Sequence, residues 1–386
     1  MIIAGGTYLE HCQYPKWERL FGSGMRAAIA VSELSENTVL HTYVPNAWRK
    51  DVEATLASFG IIGKLEPTKH ELIFEYLDTL QKSYVPPIPA EAEQEKPLIV
   101  AGDVVLRFGL MEGTAEVKGR TVVYAPQNSY VKFHKNGSKA DRLAVILSKE
   151  ELLGFGGLDG KLPTEDYLAE AAQNVFEDKP APQIILTKDG FGGLQVFFGG
   201  DPISIKSYSA ESYFRIGAGD VLAAAFAHAW GERGLEPVEA ADFAARSVAY
   251  FVEDARLPLL PPSQLPELRQ SRRNDQKLRL LGVGRFEAKS LVMQTEIWIE
   301  NLGGSTAFTF IDWNGESRVE GPIDLLIIGS SESPSTCDEV RERIGDPKVV
   351  FWPERDRRTV QLCFPVSRIA GDFPSALYHA MRSPSP

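Results

Sequence analysis

The sequence predicts an α/β protein in which a mostly parallel sheet, covered by helices on both faces, is followed by a smaller α/β domain. Short apolar runs that do not alternate with polar residues are typical of strands buried on both sides. Amphipathic stretches separate several of these runs, as expected for parallel strands joined by covering helices. The same alternation starts again after a proline-rich segment. The candidate strands of the larger domain are Leu98–Ala101, Thr121–Tyr124, Leu143–Leu147, Ile184–Thr187 and Leu194–Phe198.

Two segments of unusual composition mark a lid and a domain boundary. Leu72–Leu80 alternates differently and precedes an acidic, proline-rich run, so we predict a strand of a small β lid followed by a loop. Ala255–Pro266 contains four prolines, which remove backbone donors and fix φ, so it is neither a regular helix nor a central strand. The predicted domains are therefore residues 1–256 and 278–386, joined by a proline-rich and polar linker over 257–277.

Composition limits the classes of function. A chain of 386 residues is long enough for two domains, and 44% hydrophobic with 24% charged residues is ordinary for a soluble globular protein. The net charge of −11 argues against a general surface for nucleic acids or anionic membranes. The 3 cysteines form no zinc or CxxC pattern, and no apolar run reaches membrane-spanning length. We therefore expect a cytoplasmic protein with a small-molecule partner, and homo-oligomerisation stays open.

The most informative segment is Gly217-Ala218-Gly219-Asp220, which opens an Ala-rich helix running to Trp230. The first N–H groups of a helix have no internal acceptor, and the helix dipole adds partial positive charge there, so such a terminus can receive a phosphate. Asp220 lies on the first turn, where a carboxylate can take a proton from an acceptor hydroxyl. This pairing suits phosphoryl transfer. The alternative is an ordinary helix start with an acidic first turn.

The segment resembles the signature of the ribokinase-like (PfkB) sugar and nucleoside kinases, in which a Gly-Ala-Gly-Asp opens a helix late in the domain. Other elements of that family are matched in the same order over residues 1–256. They are Met1–Gly6 for the first strand, Gly22–Leu34 for the Gly-rich turn and helix, Leu147–Leu153 for the Asn-x-x-Glu element, Ile184–Gly193 for the strand before the nucleotide pocket and Ala240–Val252 for the following helix. The resemblance implies a three-layer sandwich with a small β lid.

The resemblance also implies an activity and a set of site residues. The enzyme would be an ATP- and Mg²⁺-dependent kinase of a hydroxyl on a sugar or nucleoside, with Asp220 as base and Gly217, Ala218 and Gly219 as the anion hole. Thr187 and Gly190 would border the nucleotide, and Glu151 would help to place Mg²⁺ through water. The acceptor would be faced by Glu10, Gly22, Gly24 and Arg26.

Departures from the family pattern are more numerous at the acceptor end than at the phosphate-transfer end. The usual Asp after the first strand is absent from Thr7–His11, and Met25 or Arg26 stands where the Gly-rich turn usually has Asn. The Asn of Asn-x-x-Glu is Ser148. The identity of the acceptor is therefore open. The alternative from another functional class is a catalytically degenerate module that binds a nucleotide for sensing or assembly.

Residues 278–386 show strand and helix patterns of their own and suit a small flavodoxin-like α/β domain. Their order loosely resembles the nucleoside 2-deoxyribosyltransferase family, through Asp324, Thr336-Cys-Asp-Glu339 and Gly345-Asp-Pro-Lys348. In that family the Glu is the nucleophile at the anomeric carbon, so Glu339 would be the candidate. A third hypothesis is therefore base–sugar exchange or N-glycosidic cleavage at Glu339. The other interpretation of Glu339 is a solvated helix residue.

Overall fold

The computed structural model places the chain in two compact units. The first comprises Met1–Tyr208 and Arg215–Leu268, and the second comprises Ser209–Phe214 and Arg269–Pro386. The first unit thus keeps residues 257–268, which the sequence assigns to a linker, and Leu259 within it is fully buried. The structure describes residues 1–86, 94–127, 131–189, 192–273, 277–301, 305–311 and 321–383.

The first unit contains strands β1 to β13 and helices α1 to α6. The strands are β1 Ile2–Ala4, β2 Leu9–Tyr14, β3 Trp17–Leu20, β4 Val39–Pro45, β5 Ile62–Thr68, β6 Ile73–Asp78, β7 Leu98–Phe108, β8 Ala115–Ala125, β9 Lys139–Ser148, β10 Ile184–Lys188, β11 Leu194–Phe197, β12 Ile203–Ile205 and β13 Ser207–Tyr208. The helices are α1 Gly22–Val31, α2 Arg49–Ser58, α3 Lys149–Phe155, α4 Glu165–Phe176, α5 Ala218–Phe226 and α6 Pro237–Val252. A 3₁₀ turn covers Phe133–Asn136, and a π-helical turn over Ala227–Glu232 continues α5.

The main sheet has nine strands in the order β12-β11-β10-β9-β8-β7-β1-β4-β5. Every neighbouring pair from β10 to β5 in this order is parallel. β11 is antiparallel to both of its neighbours, β10 and β12. The large, mostly parallel sheet agrees with the predicted α/β class. Because the carboxyl ends of parallel strands share one edge, residues that follow β1, β8, β9 and β10 are brought together there.

The predicted strands of the main sheet are found, and one connection between them is short. The five candidates correspond to β7 through β11, with longer strands at β7, β8 and β9. No helix lies in residues 109–114 between β7 and β8. That connection instead buries Glu112, whose Oε2 accepts a hydrogen bond of 2.8 Å from the hydroxyl of Tyr8.

A separate three-stranded sheet has the order β3-β2-β6. β2 and β3 form an antiparallel hairpin, and β6 pairs with β2 in parallel. The strand predicted over Leu72–Leu80 is observed as β6. The hairpin of β2 and β3 was not predicted, and most of the acidic loop lies outside the described residues.

Two almost completely buried helices, α1 and α5, carry residues of the candidate site. Every residue of α1 is buried, and so are Asp220 to Phe226 of α5. Both helices consist largely of Ala and Gly, whose small side chains let helices pack closely. α1 packs against α5, so Arg26 on α1 faces Asp220 on α5.

The second unit is built on a five-stranded parallel sheet of order β16-β15-β17-β18-β19. Numbered within this unit, the strand order is therefore 2-1-3-4-5. Helices alternate with most of these strands, and β14 pairs antiparallel with β20. Within the described residues, no helix is long and apolar enough to span a bilayer. The elements are β14 Gln270–Arg273, β15 Leu278–Val283, α7 Phe286–Asn301, β16 Thr306–Ile311, β17 Leu325–Ile328, α8 Ser335–Ile344, β18 Val349–Phe351, α9 Arg357–Cys363, β19 Arg368–Ala370, α10 Phe373–Ala380 and β20 Arg382–Ser383.

Candidate functional site

The start of α5 forms a partly open backbone terminus. Gly217 precedes the helix with a φ of +82°, which favours glycine. The N–H of Ala218 donates to the carbonyl of Arg215 at 2.9 Å, so the predicted anion-hole role of Ala218 is not supported by a free donor. Within the described part of the chain, the N–H groups of Gly217 and Gly219 have no acceptor. Two of the three predicted amides are therefore available to a ligand.

Asp220 holds its carboxylate at this terminus, with only 10% of the side chain exposed. Its Oδ2 accepts a hydrogen bond from Nη1 of Arg26 at 2.8 Å, and its Oδ1 accepts one from Nε2 of Gln127 at 2.6 Å. A carboxylate oxygen has two lone pairs, so each oxygen can accept one more hydrogen bond. Asp220 can therefore still receive the proton of an acceptor hydroxyl.

Arg26 is held between two carboxylates. Its Nη1 donates to Oε1 of Glu10 at 3.0 Å, its Nη2 pairs with Oε2 of Glu10, and its side chain is 2% exposed. Oε1 of Glu10 also accepts the N–H of Gly22 at 3.2 Å, and the ring of Phe21 lies 5.2 Å from Cζ of Arg26. Burial raises the pKa of Glu10, and Arg26 opposes that rise. Burial alone would lower the pKa of Arg26, but Glu10 and Asp220 reverse this and raise it.

Tyr76, on β6 of the small sheet, adds a phenol to the same cluster. Burial raises the pKa of Tyr76 above its usual value, and the negative charges of Glu10 and Asp220 add to the rise. The phenol therefore stays protonated at neutral pH, where it can donate and accept hydrogen bonds. The phenol thus lies within the electrostatic influence of Glu10, Arg26 and Asp220, and it forms a hydrogen bond with Ser83.

Positive charge lies at the ends of β9 and β10. Lys188 is the last residue of β10, and a Cβ atom added at Gly219 would lie 3.5 Å from its Nζ. Lys149 follows β9 and forms an ion pair with Asp189. An ammonium group beside the open N–H of Gly219 favours an anionic ligand at this point.

The structure says less about the two residues predicted to border the nucleotide, Thr187 and Gly190. Thr187 on β10 is fully buried, and its Oγ1 has no hydrogen-bond partner in the described residues. Gly190 lies outside the described residues, so its predicted role has no structural account. Thr187 adjoins Lys188, which keeps it at the carboxyl end of the sheet.

Glu151 has a local role that the sequence interpretation did not include. Its Oε2 accepts the N–H of Ser148 at 2.6 Å, and Oγ of Ser148 accepts the N–H of Glu151 at 3.1 Å. This reciprocal pair is a capping box that starts α3. Among the described residues, no group of three or more His, Cys, Asp or Glu side chains could hold a metal ion.

Gly22 and Gly24 allow close packing of the first turn of α1 against the end of β1. Gly22 has a φ of +67°, and a Cβ at Gly24 would lie 2.5 Å from the carbonyl group of Gly5. The N–H of Gly24 donates to the carbonyl of Gly6 at 2.9 Å. These glycines let α1 approach the end of β1 closely, which brings Arg26 to Asp220.

Gln127 and Lys188 were not identified from the sequence as parts of the site around Asp220. Gln127 follows β8 with a φ of +51°, and Lys188 ends β10. Both are polar residues at the carboxyl ends of parallel strands, where open α/β sheets bind ligands. That position was the available signal.

The second unit separates the residues on which the deoxyribosyltransferase resemblance depends. Asp324 precedes β17, and its Oδ2 accepts the N–H of Arg279 at 2.9 Å. Glu339 is exposed on α8, which follows the opposite end of β17. Lys348 donates from Nζ to the carbonyl of Ala380 at 3.1 Å, at the end of α10. Asp324 and Glu339 therefore belong to opposite ends of the strand.

Comparison with known proteins gives structural likenesses only. No family model matches the sequence, and no curated protein is significantly similar to it. A pyrophosphate-dependent kinase in the ribokinase family, complexed with a pyrophosphate analog and myo-inositol, is 18% identical, with a TM-score of 0.47 over 67% of this chain and 97% of that one. Phosphofructokinase-2 from Escherichia coli in complex with potassium is 14% identical, with a TM-score of 0.48 over 67% and 94%. Fructokinase from Vibrio cholerae O395, in its fructose-, ADP- and calcium-bound form, gives 65% and 92% coverage at a TM-score of 0.47.

Proposed function

We propose that the first unit is a kinase that transfers a phosphoryl group from ATP to a hydroxyl of a sugar or nucleoside. One observation carries the proposal: the carboxylate of Asp220, the open N–H of Gly219 and the ammonium of Lys188 meet at the start of α5. A base beside a preorganised anion site is what phosphoryl transfer requires, because little covalent chemistry is left to the protein.

The residues divide the reaction between them. The acceptor oxygen forms a bond to the γ-phosphorus while the bond from that phosphorus to the leaving oxygen of ADP breaks, and its electron pair stays on ADP. The acceptor proton passes to the carboxylate of Asp220. The N–H groups of Gly217 and Gly219, with the ammonium of Lys188, stabilise the negative charge on the transferring group.

The acceptor side favours an uncharged ligand rich in hydroxyl groups. Glu10, Asp220 and Arg26 are two carboxylates and one guanidinium, so these three groups carry one net negative charge on the side of Asp220 that faces α1. This charge disfavours a second anion beside Asp220. The carboxylate of Asp220 and the phenol of Tyr76 are groups that hydrogen-bond hydroxyls.

ATP and Mg²⁺ fit the described residues to different degrees. The buried and unpartnered Oγ1 of Thr187, next to Lys188, is consistent with a donor bound at the ends of β9 and β10. Glu151 gives its carboxylate to the capping box of α3, and the described residues form no ligand cluster. The described residues therefore offer Mg²⁺ no ligand set of their own, and no step of the transfer is assigned to a protein-held metal.

A binding-only module is the second candidate, and the contact between Asp220 and Arg26 favours it. The buried Arg26 occupies one oxygen of the carboxylate that would act as base. Combined with the departures of Thr7–His11 and Arg26 from the kinase pattern, this contact is compatible with a site that retains nucleotide and has lost turnover. Such a module would bind ATP and shift its melting temperature without transferring phosphate.

For the second unit, the strand order 2-1-3-4-5 supports the flavodoxin-like expectation, because doubly wound sheets of that type have this order. The exposure of Glu339 and its separation from Asp324 give glycosidic chemistry no supporting contact. A ligand-binding α/β domain is the proposal that its topology supports.

The test is phosphate transfer from Mg-ATP to a panel of nucleosides and simple sugars, comparing the wild type with Asp220→Asn. We expect turnover on one acceptor class and a loss of about 10²- to 10⁴-fold in Asp220→Asn, because a positioned base contributes this much. ATP affinity, measured by calorimetry, should be kept in the variant. ATP binding without turnover on any acceptor would replace the kinase by the binding-only module.

A further inference from the structure

We infer that Arg26 stabilises the charge on the phosphoryl group during transfer, and that Glu10 positions Arg26 instead of binding the acceptor. This inference rests on the proposed kinase function and goes beyond it in two ways. It gives the anion hole a cation from another helix, and it removes Glu10 from the residues that recognise the substrate. Three features of the site support it.

The first feature is the contact between Arg26 and the anion hole. A Cβ atom added at Gly217 would clash with Nε and Cζ of Arg26. The guanidinium group therefore lies directly against the backbone of Gly217, whose N–H is one of the open donors. An anion bound at Gly217 would therefore lie next to a residue that the guanidinium contacts.

The second feature is the rigid placement of Arg26. Glu10 binds both terminal nitrogens of Arg26, and the N–H of Gly22 fixes Oε1 of Glu10 in turn. A bidentate pair between arginine and a carboxylate restricts both position and orientation. Glu10 thus has its two oxygens engaged inside the protein, which suits a positioning residue. An arginine placed in advance loses little entropy when charge develops beside it.

The third feature is the shared contact of Arg26 with the base. Nη1 of Arg26 donates to Oδ2 of Asp220 at 2.8 Å. When Asp220 takes the acceptor proton, its negative charge disappears and its attraction for Arg26 weakens. At the same stage, charge spreads over the equatorial oxygens of the phosphoryl group. The positive charge released from Asp220 is then available to those oxygens, so proton transfer and charge stabilisation support each other.

A different role would leave other traces. If Arg26 only held Asp220 in place, its removal would change the pH dependence of the reaction and leave anion affinity unaltered. If Arg26 faces the phosphoryl group, its removal weakens the binding of a simple phosphate-containing anion even without an acceptor. Anion affinity therefore separates the two roles.

The experiment uses the full chain with Arg26→Met, Arg26→Lys and Glu10→Gln, with Arg49→Met as matched control on the exposed face of α2. The first readout is calorimetric affinity for inorganic pyrophosphate, and the second is single-turnover transfer from Mg-ATP. We expect Arg26→Met to lose about 10³-fold or more in transfer rate, as for arginines supplied to phosphoryl groups, and to bind pyrophosphate about tenfold more weakly. Arg26→Lys should recover part of both losses, and Arg49→Met should match the wild type.

Glu10→Gln completes the set because it separates positioning from substrate recognition. It should reduce the transfer rate while leaving KM for the acceptor unchanged, since Glu10 acts through Arg26. A selective rise in acceptor KM would overturn the role given to Glu10. Unchanged pyrophosphate affinity in Arg26→Met, with only the acid limb of the pH profile displaced, would overturn the role given to Arg26.

Removing Arg26 leaves two buried carboxylates without a cation, so Arg26→Met alone can unfold the site. The double variant Arg26→Met, Glu10→Gln avoids most of that penalty and should show the same loss of pyrophosphate affinity. If the wild type turns nothing over but binds pyrophosphate in an Arg26-dependent way, the kinase proposal fails and the anion contact stands. If the wild type is active and both Arg26 variants match it, the inference fails and the kinase stands.

Discussion

The two units use the same architecture and treat their buried polar groups differently. In the first unit, Glu10, Arg26 and Asp220 come from three elements and meet at the carboxyl edge of the sheet. In the second unit, the half-buried Lys348 donates to the carbonyl of Ala380, and the buried His379 donates to the carbonyl of Glu211. The carboxyl edge of a parallel sheet therefore provides a place for a site. A site forms there only where polar side chains from several elements meet. Predictions that disturb each set of buried groups test this difference.

The largest effect is expected for Gly217→Ala. The substitution places a Cβ against Arg26 at a residue with a φ of +82°, so strain and a clash act together. We expect unfolding free energy to fall by about 2–4 kcal/mol, with loss of transfer activity. The measurement is urea unfolding followed by the transfer assay.

Gly60→Ala is the matched control for that change. Gly60 has a φ of +66°, but an added Cβ would meet no atom within 4 Å. Its cost should be about 1 kcal/mol, from backbone strain alone. Equal losses in the two variants would show that Arg26 does not press against Gly217.

A smaller loss is expected for Lys188→Met, which removes the ammonium beside Gly219. We expect transfer to fall by roughly 10- to 100-fold, because one charge-assisted contact to a phosphate is lost. The loss should be accompanied by a higher KM for ATP and no change in KM for the acceptor. Lys139→Met, at the exposed beginning of β9, is the control and should leave the kinetics unaltered.

Acid should weaken the second unit through His379. Burial lowers the pKa of His379 to about 4, and its Nε2–H donates to the carbonyl of Glu211 at 2.9 Å while Nδ1 faces Arg368. The unfolded histidine has a pKa of about 6.5 and binds its proton first as the pH falls, so folding stability declines from about pH 6.5 down to about pH 4. The loss should approach about 3 kcal/mol.

Urea unfolding between pH 7 and pH 4 measures this effect, with His379→Gln as the comparison. The variant is less stable at pH 7 and should lack the His379 part of the pH slope. The same slope in the variant and the wild type would assign the acid sensitivity to other groups.

The smallest effect is expected for Glu339→Gln. Glu339 is exposed on α8 and does not lie with Asp324, so its removal should leave stability within about 0.5 kcal/mol and phosphate transfer unchanged. Release of free base from a nucleoside, measured without ATP, should be absent in wild type and variant alike. Base release by the wild type that Glu339→Gln abolishes would give the second unit a catalytic site after all.

The pattern of apolar residues allowed the secondary structure to be predicted from the sequence. Most contacts between side chains could not be predicted from it. The apolar runs of β7 to β11 and the glycines before α5 are local signals, so they could be predicted. The pairing of Arg26 with Asp220 joins residues far apart in the chain and depends on how α1 packs on α5. The capping box of Ser148 and Glu151 is also a local signal, and it gives Glu151 a role at the start of α3 in addition to the predicted one near Mg²⁺.

Gln127 and Lys188 could be found only by combining the predicted strands with the order of those strands in the sheet. Each follows a strand that the sequence predicts, and the parallel order of those strands places their ends side by side. The sequence alone does not give the strand order, so their convergence on α5 could not be derived. The hairpin of β2 and β3 was missed for a different reason, because its residues do not show a simple alternation of apolar and polar side chains.

The close approach of Gly217 and Arg26 has a consequence for the history of the chain. A side chain at position 217 and a guanidinium from position 26 cannot occupy the same space, so position 217 cannot gain a side chain while the arginine is kept. Homologues that replace the arginine by a shorter residue gain room for a Cβ in the loop, whereas those that keep it must keep the glycine. Positions 26 and 217 should therefore covary across descendants of a common ancestor, and substitutions at the two should be epistatic.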